Sequence, residues 1–110
     1  MSRVGPPALI VGLMLAASAC KIMPENPYRT AAEQGNLNAQ YLLGRMYERG
    51  QGVAKDDVLA YVWLSAAAEQ GSAEAAHGMD SAAARLTPEQ LAEARMLASA
   101  RRVKAWQAGP

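Results

Sequence analysis

One four-residue segment occurs twice in this chain. Residues 32–35 read Ala-Glu-Gln-Gly, and the same four residues return at 68–71, an offset of 36. A period of this size is typical of helical repeat proteins, in which each unit buries its apolar face by stacking on its neighbours. The 110 residues hold one full period and two partial ones, so the sequence predicts a short stack of helices.

A glycine turn lies between the two copies. Gly50 is placed to end a helix in the left-handed conformation, which glycine adopts without a Cβ penalty. Gly52 allows the chain to fold back tightly, and Asp56 is a good N-cap for the helix that follows. Because the connection is short, the two helices are predicted to be antiparallel neighbours.

The two helices of this hairpin differ in their apolar patterns. The first begins after Asn36 or Asn38, runs to about Arg49, and contains an interior glycine, Gly44. Glycine there costs about 1 kcal/mol relative to alanine, so we expect it to permit a close helix crossing. The second, over 57–70, is apolar on more than one side, as expected of a helix between two neighbours. Trp63 is its predicted inner anchor.

This unit resembles the Sel1-like repeat (SLR), a relative of the tetratricopeptide repeat, over about residues 36–71. The signature positions are filled by Ala39, Leu43, Gly44, Tyr47, Gly50, Gly52, Val53, Asp56, Ala60, Trp63, Ala67, Ala68 and Gly71. The flanking units are partial: Pro27 stands at the Trp63 position, and Asp80 and Ala83 stand at the Gly44 and Tyr47 positions. The resemblance implies an all-α fold, a short α-solenoid of antiparallel helix pairs. Because family members are mostly adaptors with varied partners, it implies an interaction module rather than an enzyme.

Two further helices complete the predicted domain, which spans residues 28–106. A half-unit helix over 28–34 is ended by Gly35. At the other end, Thr87 and Gln90 form a capping box with Pro88 at the first helical position. The long helix that follows, over 87–106, is predicted to be a C-terminal cap that covers the open end of the stack.

The N-terminus is predicted to be a signal peptide over residues 1–19. Arg3 supplies a positive start, and an apolar run over 8–17 is too short to span a bilayer comfortably. Small residues before Cys20 fit an ordinary signal peptidase site, and they also resemble a bacterial lipobox. Since Cys20 is the only cysteine, we favour a lipoprotein whose lipidated Cys20 and tether occupy residues 20–27.

Localisation follows from these two alternatives. With Lys21 after the lipidated cysteine, the resemblance to bacterial sorting signals favours an outer membrane lipoprotein that faces the periplasm, held at the membrane by its N-terminal lipid. Without lipidation, the product is a soluble periplasmic or secreted protein. In that alternative the exposed ends of a short stack favour self-association into a homo-oligomer or regulation of a partner.

Residues that could carry chemistry are few. The formal net charge is +1, which gives no general reason to expect a nucleic-acid partner. His77 is the only histidine and lacks partners at metal-ligand spacing. Asp56 and Asp57 sit at a helix start, where capping explains them. We therefore expect no catalytic residue, no cofactor and no metal.

Two surfaces are candidates for binding an unidentified protein partner. In repeat stacks the concave face is the usual docking surface, and the residues predicted to lie there are Asn38, Tyr41, Arg45 and Glu48. The last helix is basic, with cations at Arg95, Arg101, Arg102 and Lys104. It is interpreted either as a contact for anionic lipid or an acidic partner, or as a solvated helix end. Tyr61 and Trp106 are aromatic candidates with core packing as the alternative.

Overall fold

The computed structural model describes residues 26–108, with side chains to Arg102, and the regular secondary structure of this part of the chain is α-helix throughout. Its five helices are α1 (Pro27–Glu33), α2 (Leu37–Arg49), α3 (Asp57–Glu69), α4 (Ala73–Arg85) and α5 (Pro88–Ala108). The all-α prediction is confirmed for these residues. The predicted signal peptide, Cys20 and its tether up to residue 25 lie outside them. None of the five helices combines the length and apolar character needed to cross a bilayer.

The helices begin at side-chain caps that the sequence supplies. Asn36 accepts a hydrogen bond from the Ala39 amide at 2.9 Å, and Ser72 accepts one from the Ala75 amide at 3.1 Å. These two caps are one period apart, so the repeat extends to individual hydrogen bonds. Asn36 rather than Asn38 is therefore the cap of α2.

The first helix starts one residue earlier than predicted. Asn26 caps it by accepting a hydrogen bond from the Tyr28 amide at 2.8 Å, and Pro27 is its first residue. The assignment of Pro27 to the tether is therefore wrong. Proline is tolerated at this position because the first helical amides have no intrahelical acceptor.

The helix ends repeat as well. Gly35 and Gly71 have φ of 94° and 104°, the left-handed region that glycine enters without strain. After each of them the next amide returns to the helix: Asn36 N donates to Ala31 O at 3.1 Å, and Ser72 N donates to Ala67 O at 3.2 Å. The period found in the sequence is thus a structural repeat.

Helix α3 is the centre of the molecule, because it packs against α2, α4 and α5. One buried cluster lies between α3 and the α1–α2 side, and it consists of Ala32, Ala39, Leu43, Tyr47, Ala60 and Trp63. A second cluster of Leu64, Ala67 and Ala75 lies towards α4. The predicted role of Trp63 as an inner anchor agrees with its exposure of 6%.

The last helix begins at the predicted residues, but it does not pack at the end of the stack where we expected it. The capping box is confirmed: Gln90 N donates to Thr87 Oγ1 at 3.1 Å, and Thr87 N donates to Gln90 Oε1 at 3.0 Å. After the extended residue Leu86, α5 packs along α3 rather than α4. The expectation that it covers the open end of the stack is therefore wrong. Its buried residues Ala94 and Ala98 are small enough to let it approach α3 closely.

Candidate interaction surfaces

Three of the four predicted partner-binding residues lie along one side of α2. Asn38 is exposed, and Tyr41 and Arg45 are half-buried. The Arg45 guanidinium lies 6.0 Å from the centroid of the Tyr41 ring, within reach of a cation–π interaction. Leu42 lies on the same side and is 43% exposed. This α2 face, defined by Asn38, Tyr41, Leu42 and Arg45, combines an apolar, an aromatic and a cationic side chain.

The fourth residue, Glu48, is engaged within the molecule. Its carboxylate pairs with Arg45 Nε at 3.2 Å and with Arg85 Nη2 at 2.8 Å, and its side chain is only 15% exposed. Arg85, at the end of α4, also pairs with Asp57 at 3.2 Å. Glu48 therefore fastens α4 to the hairpin, and the partner-binding role expected for it is not supported by its surroundings.

The electrostatics of this cluster are those of a structural ion pair. The hydrogen bond to Glu48 raises the pKa of Arg85, desolvation opposes the shift, and Asp57 adds to it. Lys55 Nζ lies 3.3 Å from the Asp57 carboxylate. Asp57 is thus neutralised by two cations, whereas Asp56 accepts a hydrogen bond from the Leu59 amide at 3.0 Å as the cap of α3.

The residues considered for catalysis or metal binding either have structural roles or are exposed to solvent. His77 is exposed on α4. Within residues 26–108, no group of three or more His, Cys, Asp or Glu side chains is placed to hold a metal ion. Asp56 caps α3, as the sequence interpretation favoured, whereas Asp57 forms ion pairs that the sequence did not predict.

The repeat signature residues divide into core and turn positions. The buried ones are Ala39, Leu43, Gly44, Tyr47, Ala60, Trp63 and Ala67. The turn positions Gly50, Gly52 and Gly71 have positive φ. Val53, Asp56 and Ala68 are half-buried, with Val53 packed against the first cluster and Ala68 against the second. These residues therefore build the hairpin rather than a binding surface.

A cleft runs between α3 and α5. It comprises two adjoining cavities of about 230 Å³ and 480 Å³ that share the lining residues Ser65, Glu69, Ala98 and Arg102. We call this the α3–α5 cleft. Sequence reasoning missed it, because it depends on where α5 docks, and the pattern of a capped helix does not encode its docking position.

Arg101 forms one wall of this cleft. Its guanidinium carbon lies 3.8 Å from the centroid of the Trp63 ring, and its Nη2 donates to the Ala32 carbonyl at 3.5 Å. Its Nε is buried and has no acceptor among the side chains and backbone of the described residues. Desolvation is the main reason that the pKa of Arg101 is lowered.

The basic residues predicted on the last helix differ in their surroundings. Arg102 forms an ion pair with Glu69 and donates to Ser99 Oγ at 3.1 Å, while Arg101 stacks on Trp63. Arg95 is exposed. The side chains of Lys104 and Trp106 lie outside the described residues. An extended cationic stripe is therefore not what the described part of α5 presents.

A pair of glutamines closes one end of the cleft. Gln40 is buried and its Nε2 donates to the Ala32 carbonyl at 3.1 Å. Gln70 Nε2 donates to Gln40 Oε1 at 2.7 Å and to Gly35 O at 3.0 Å. These bonds tie the turn after α1 to the turn after α3. The recurrence of glutamine before each glycine was the available signal, but nothing in it pointed to Gln40.

Comparison with known families identifies the central hairpin. Residues 37–72 match the family model described as Sel1 repeat, which covers α2, α3 and the turn that follows. The match confirms the resemblance and lies within one residue of the predicted limits. Sel1 repeats generally mediate protein–protein interaction. The comparison with curated proteins finds no match.

Proposed function

From the premise that this is a Sel1-repeat protein, we propose that it works as a non-enzymatic protein–protein interaction module, exported and anchored to a membrane through a lipid on Cys20. The Sel1 match across residues 37–72 carries the interaction part of the proposal. A helical hairpin of this kind supplies a rigid surface. Its signature residues are mostly buried, so the exposed residues can vary between family members and determine which partner is bound.

The α2 face is the proposed docking surface. Leu42 is an exposed large apolar side chain, and it lies beside the Tyr41–Arg45 pair. Tyrosine and arginine are enriched among residues that dominate binding energy, because each supplies a large contact area together with a polar group. Tyr41 also packs against the second core cluster, so the docking surface is held by the core.

The anchoring proposal comes from the N-terminal sequence. A short positive start, an apolar run and small residues before a single cysteine suit export followed by lipidation. Several acyl chains would hold the protein firmly, since each buried methylene contributes about 0.8 kcal/mol. Lys21 after Cys20 supports the outer membrane, with the repeat domain facing the periplasm.

A soluble, self-associating protein is the second candidate. One observation favours it: α5 packs along α3, so the side of α4 that faces away from the stack is not covered by α5. Light scattering after size-exclusion chromatography of the Cys20→Ser protein separates the candidates. A dimer would support self-association, and a strictly monomeric folded chain would contradict it.

Intact mass tests the anchor. Protein from bacterial membranes is compared for the wild type and Cys20→Ser. We expect the wild-type mass to include acyl chains on Cys20, and the variant to lack them and leave the membrane fraction. A wild-type protein that begins at an unmodified Cys20 and is soluble would contradict the anchor but not the interaction role.

Site-specific crosslinking tests the docking face. A photoreactive residue at Leu42 should capture a discrete partner in intact cells, and the same group at the exposed Ala84 of α4 is the control. The Arg45→Ala exchange should reduce the Leu42 crosslink without unfolding the chain. Equal crosslinking at both positions would contradict the α2 face. Turnover by the purified chain, abolished by one substitution, would contradict the non-enzymatic role.

A further inference from the structure

We propose that the α3–α5 cleft binds an acidic peptide segment of a partner protein, with one carboxylate held by Arg101 and neighbouring apolar side chains on the cleft floor. The inference rests on the proposed interaction role and adds a second surface, separate from the α2 face, together with the chemistry of its ligand.

The charge of the lining selects an anion. Three arginines, Arg95, Arg101 and Arg102, face a single carboxylate, Glu69. Glu69 forms an ion pair with Arg102, and both Glu69 and Glu33 act electrostatically on Arg101. Glu33 does not line the cleft, so the lining itself holds more cations than carboxylates. The whole chain has a formal net charge of only +1. The cleft lining is therefore more positive than the chain as a whole, and a negatively charged ligand is electrostatically favoured there.

Arg101 has the geometry to hold a carboxylate. Its guanidinium is fixed by stacking at 3.8 Å on the Trp63 ring, so little side-chain freedom is lost when a ligand binds. Its Nε is enclosed by protein atoms and lies out of a ligand's reach, whereas its Nη2 makes, among the described residues, one long hydrogen bond to the Ala32 carbonyl at 3.5 Å. A carboxylate can accept from two guanidinium nitrogens in parallel. A ligand carboxylate would accept hydrogen bonds from the two terminal nitrogens, Nη1 and Nη2.

The shape and apolar lining favour a peptide over a compact anion. Val62, Ala66 and Ala98 line the cavity beside Arg101. The cleft extends from Gln40 at one end to Met79 at the other, which gives room for several residues of an extended chain. The Ser65 hydroxyl donates to Val62 O at 2.8 Å, so its oxygen can accept a hydrogen bond from a peptide amide.

Fluorescence anisotropy of a labelled ten-residue peptide of alternating glutamate and valine tests the proposal, with the glutamine-for-glutamate peptide as its neutral match. We expect saturable binding to the purified full chain at about 150 mM salt, and binding at least about tenfold weaker for the neutral peptide. Arg101→Gln should weaken binding by about tenfold or more. Arg49→Gln, exposed on α2 outside the cleft, should leave it unchanged.

Two further measurements keep the test decisive. In the Trp106→Phe protein, emission reports Trp63 alone and should change on addition of the acidic peptide, because the carboxylate binds the guanidinium stacked on that ring. If Arg101→Gln does not fold, Arg95→Gln at an exposed position should still weaken binding about threefold, as loss of a rim charge does.

Several results would overturn the inference. These are equal binding of both peptides, unchanged binding by the arginine variants, or complete displacement of the peptide by an equal concentration of inorganic phosphate or by anionic vesicles. The two proposals fail separately: a crosslink at Leu42 with no peptide binding refutes the cleft alone, whereas peptide binding without that crosslink refutes the α2 face alone.

Discussion

The two sides of α3 pack against residues of different size. Towards α1 and α2 it meets large side chains, with Leu43 and Tyr47 packed around Trp63. Towards α4 it meets a helix whose buried residues are Ala75, Gly78 and Ala82. The first side is filled by large side chains, and the second is lined by small residues, with the Leu64 side chain of α3 lying against Gly78.

Leu64 shows the contrast within one residue, because two glycines face it. A Cβ added at Gly44 of α2 would lie 2.7 Å from Leu64 Cγ and 3.3 Å from the Ala60 carbonyl oxygen. A Cβ added at Gly78 of α4 would lie 3.2 Å from Leu64 Cδ1. The α2 contact is thus closed to a methyl group, whereas the α4 contact can admit one after a small shift. The complete repeat is the tighter of the two.

The largest effect is expected from Trp63→Ala, which removes the anchor of the large-residue side. At 6% exposure, the loss of transfer free energy and the cavity left behind should lower the free energy of unfolding by about 3–5 kcal/mol. Urea denaturation followed by helical circular dichroism measures it. Met79→Ala on the α4 side is the control and should lower the free energy of unfolding by less. An equal decrease for both variants would contradict the difference between the two sides of α3.

Alanine substitutions at Gly44 and Gly78 test the same comparison, with expected effects of intermediate size. Gly44→Ala should lower the free energy of unfolding by about 1–2 kcal/mol, because overpacking outweighs a gain of about 1 kcal/mol in helix propensity. Gly78→Ala should leave it unchanged or raise it by up to about 1 kcal/mol. Both variants are compared in one urea series. A destabilisation of equal size at the two sites would show that the α4 contact is as closed as the α2 contact.

The smallest effect concerns the ion pairs that hold α4. Arg85→Ala should lower the free energy of unfolding by about 0.5–1 kcal/mol, since the side chain is 39% exposed and such pairs are partly screened. The difference should shrink in 1 M salt, where the Debye length is about 3 Å. Arg29→Ala removes a more exposed pair on α1 and should cost about 0.2–0.5 kcal/mol.

The pH dependence of this contribution has a definite sign. The pKa of Arg85 is raised in the folded protein, so its stabilisation is present below the unfolded arginine value and is lost only as pH rises through the folded one. The Arg85→Ala difference should therefore be constant from about pH 6 to 9. A decline within that range, seen in the same urea series, would contradict the assignment to Arg85.

Local features were predictable because neighbouring residues determine them. The caps at Asp56 and Thr87, the left-handed Gly50 and the close approach at Gly44 each follow from a few adjacent residues and their conformational preferences. The 36-residue period was equally accessible. The local error at Pro27 came from reading proline as a tether residue when Asn26 was available as a cap.

The site could not be predicted to the same extent, because it depends on contacts between distant residues. Arg101 and Glu48 looked like solvated or partner-facing charges, yet one stacks on Trp63 and the other pairs with Arg85 across 37 residues. Whether a charged side chain is buried depends on where its helix docks. The buried residues of α5 include Ala94 and Ala98, and alanines are too common in this sequence to indicate which helix they will contact. Asn38, Tyr41 and Arg45 could be placed because helical spacing alone puts them together.

The bond from Arg101 to the Ala32 carbonyl joins residues 69 positions apart, and this separation orders the folding of the chain. The hairpins close through short sequence separations and need little loop-closure entropy, whereas α5 can dock only after nearly the whole domain has been synthesised. Until then Trp63 lacks the cation that covers its ring. We therefore expect the last helix to be the final element to assemble and the first to exchange its amide hydrogens in the native state.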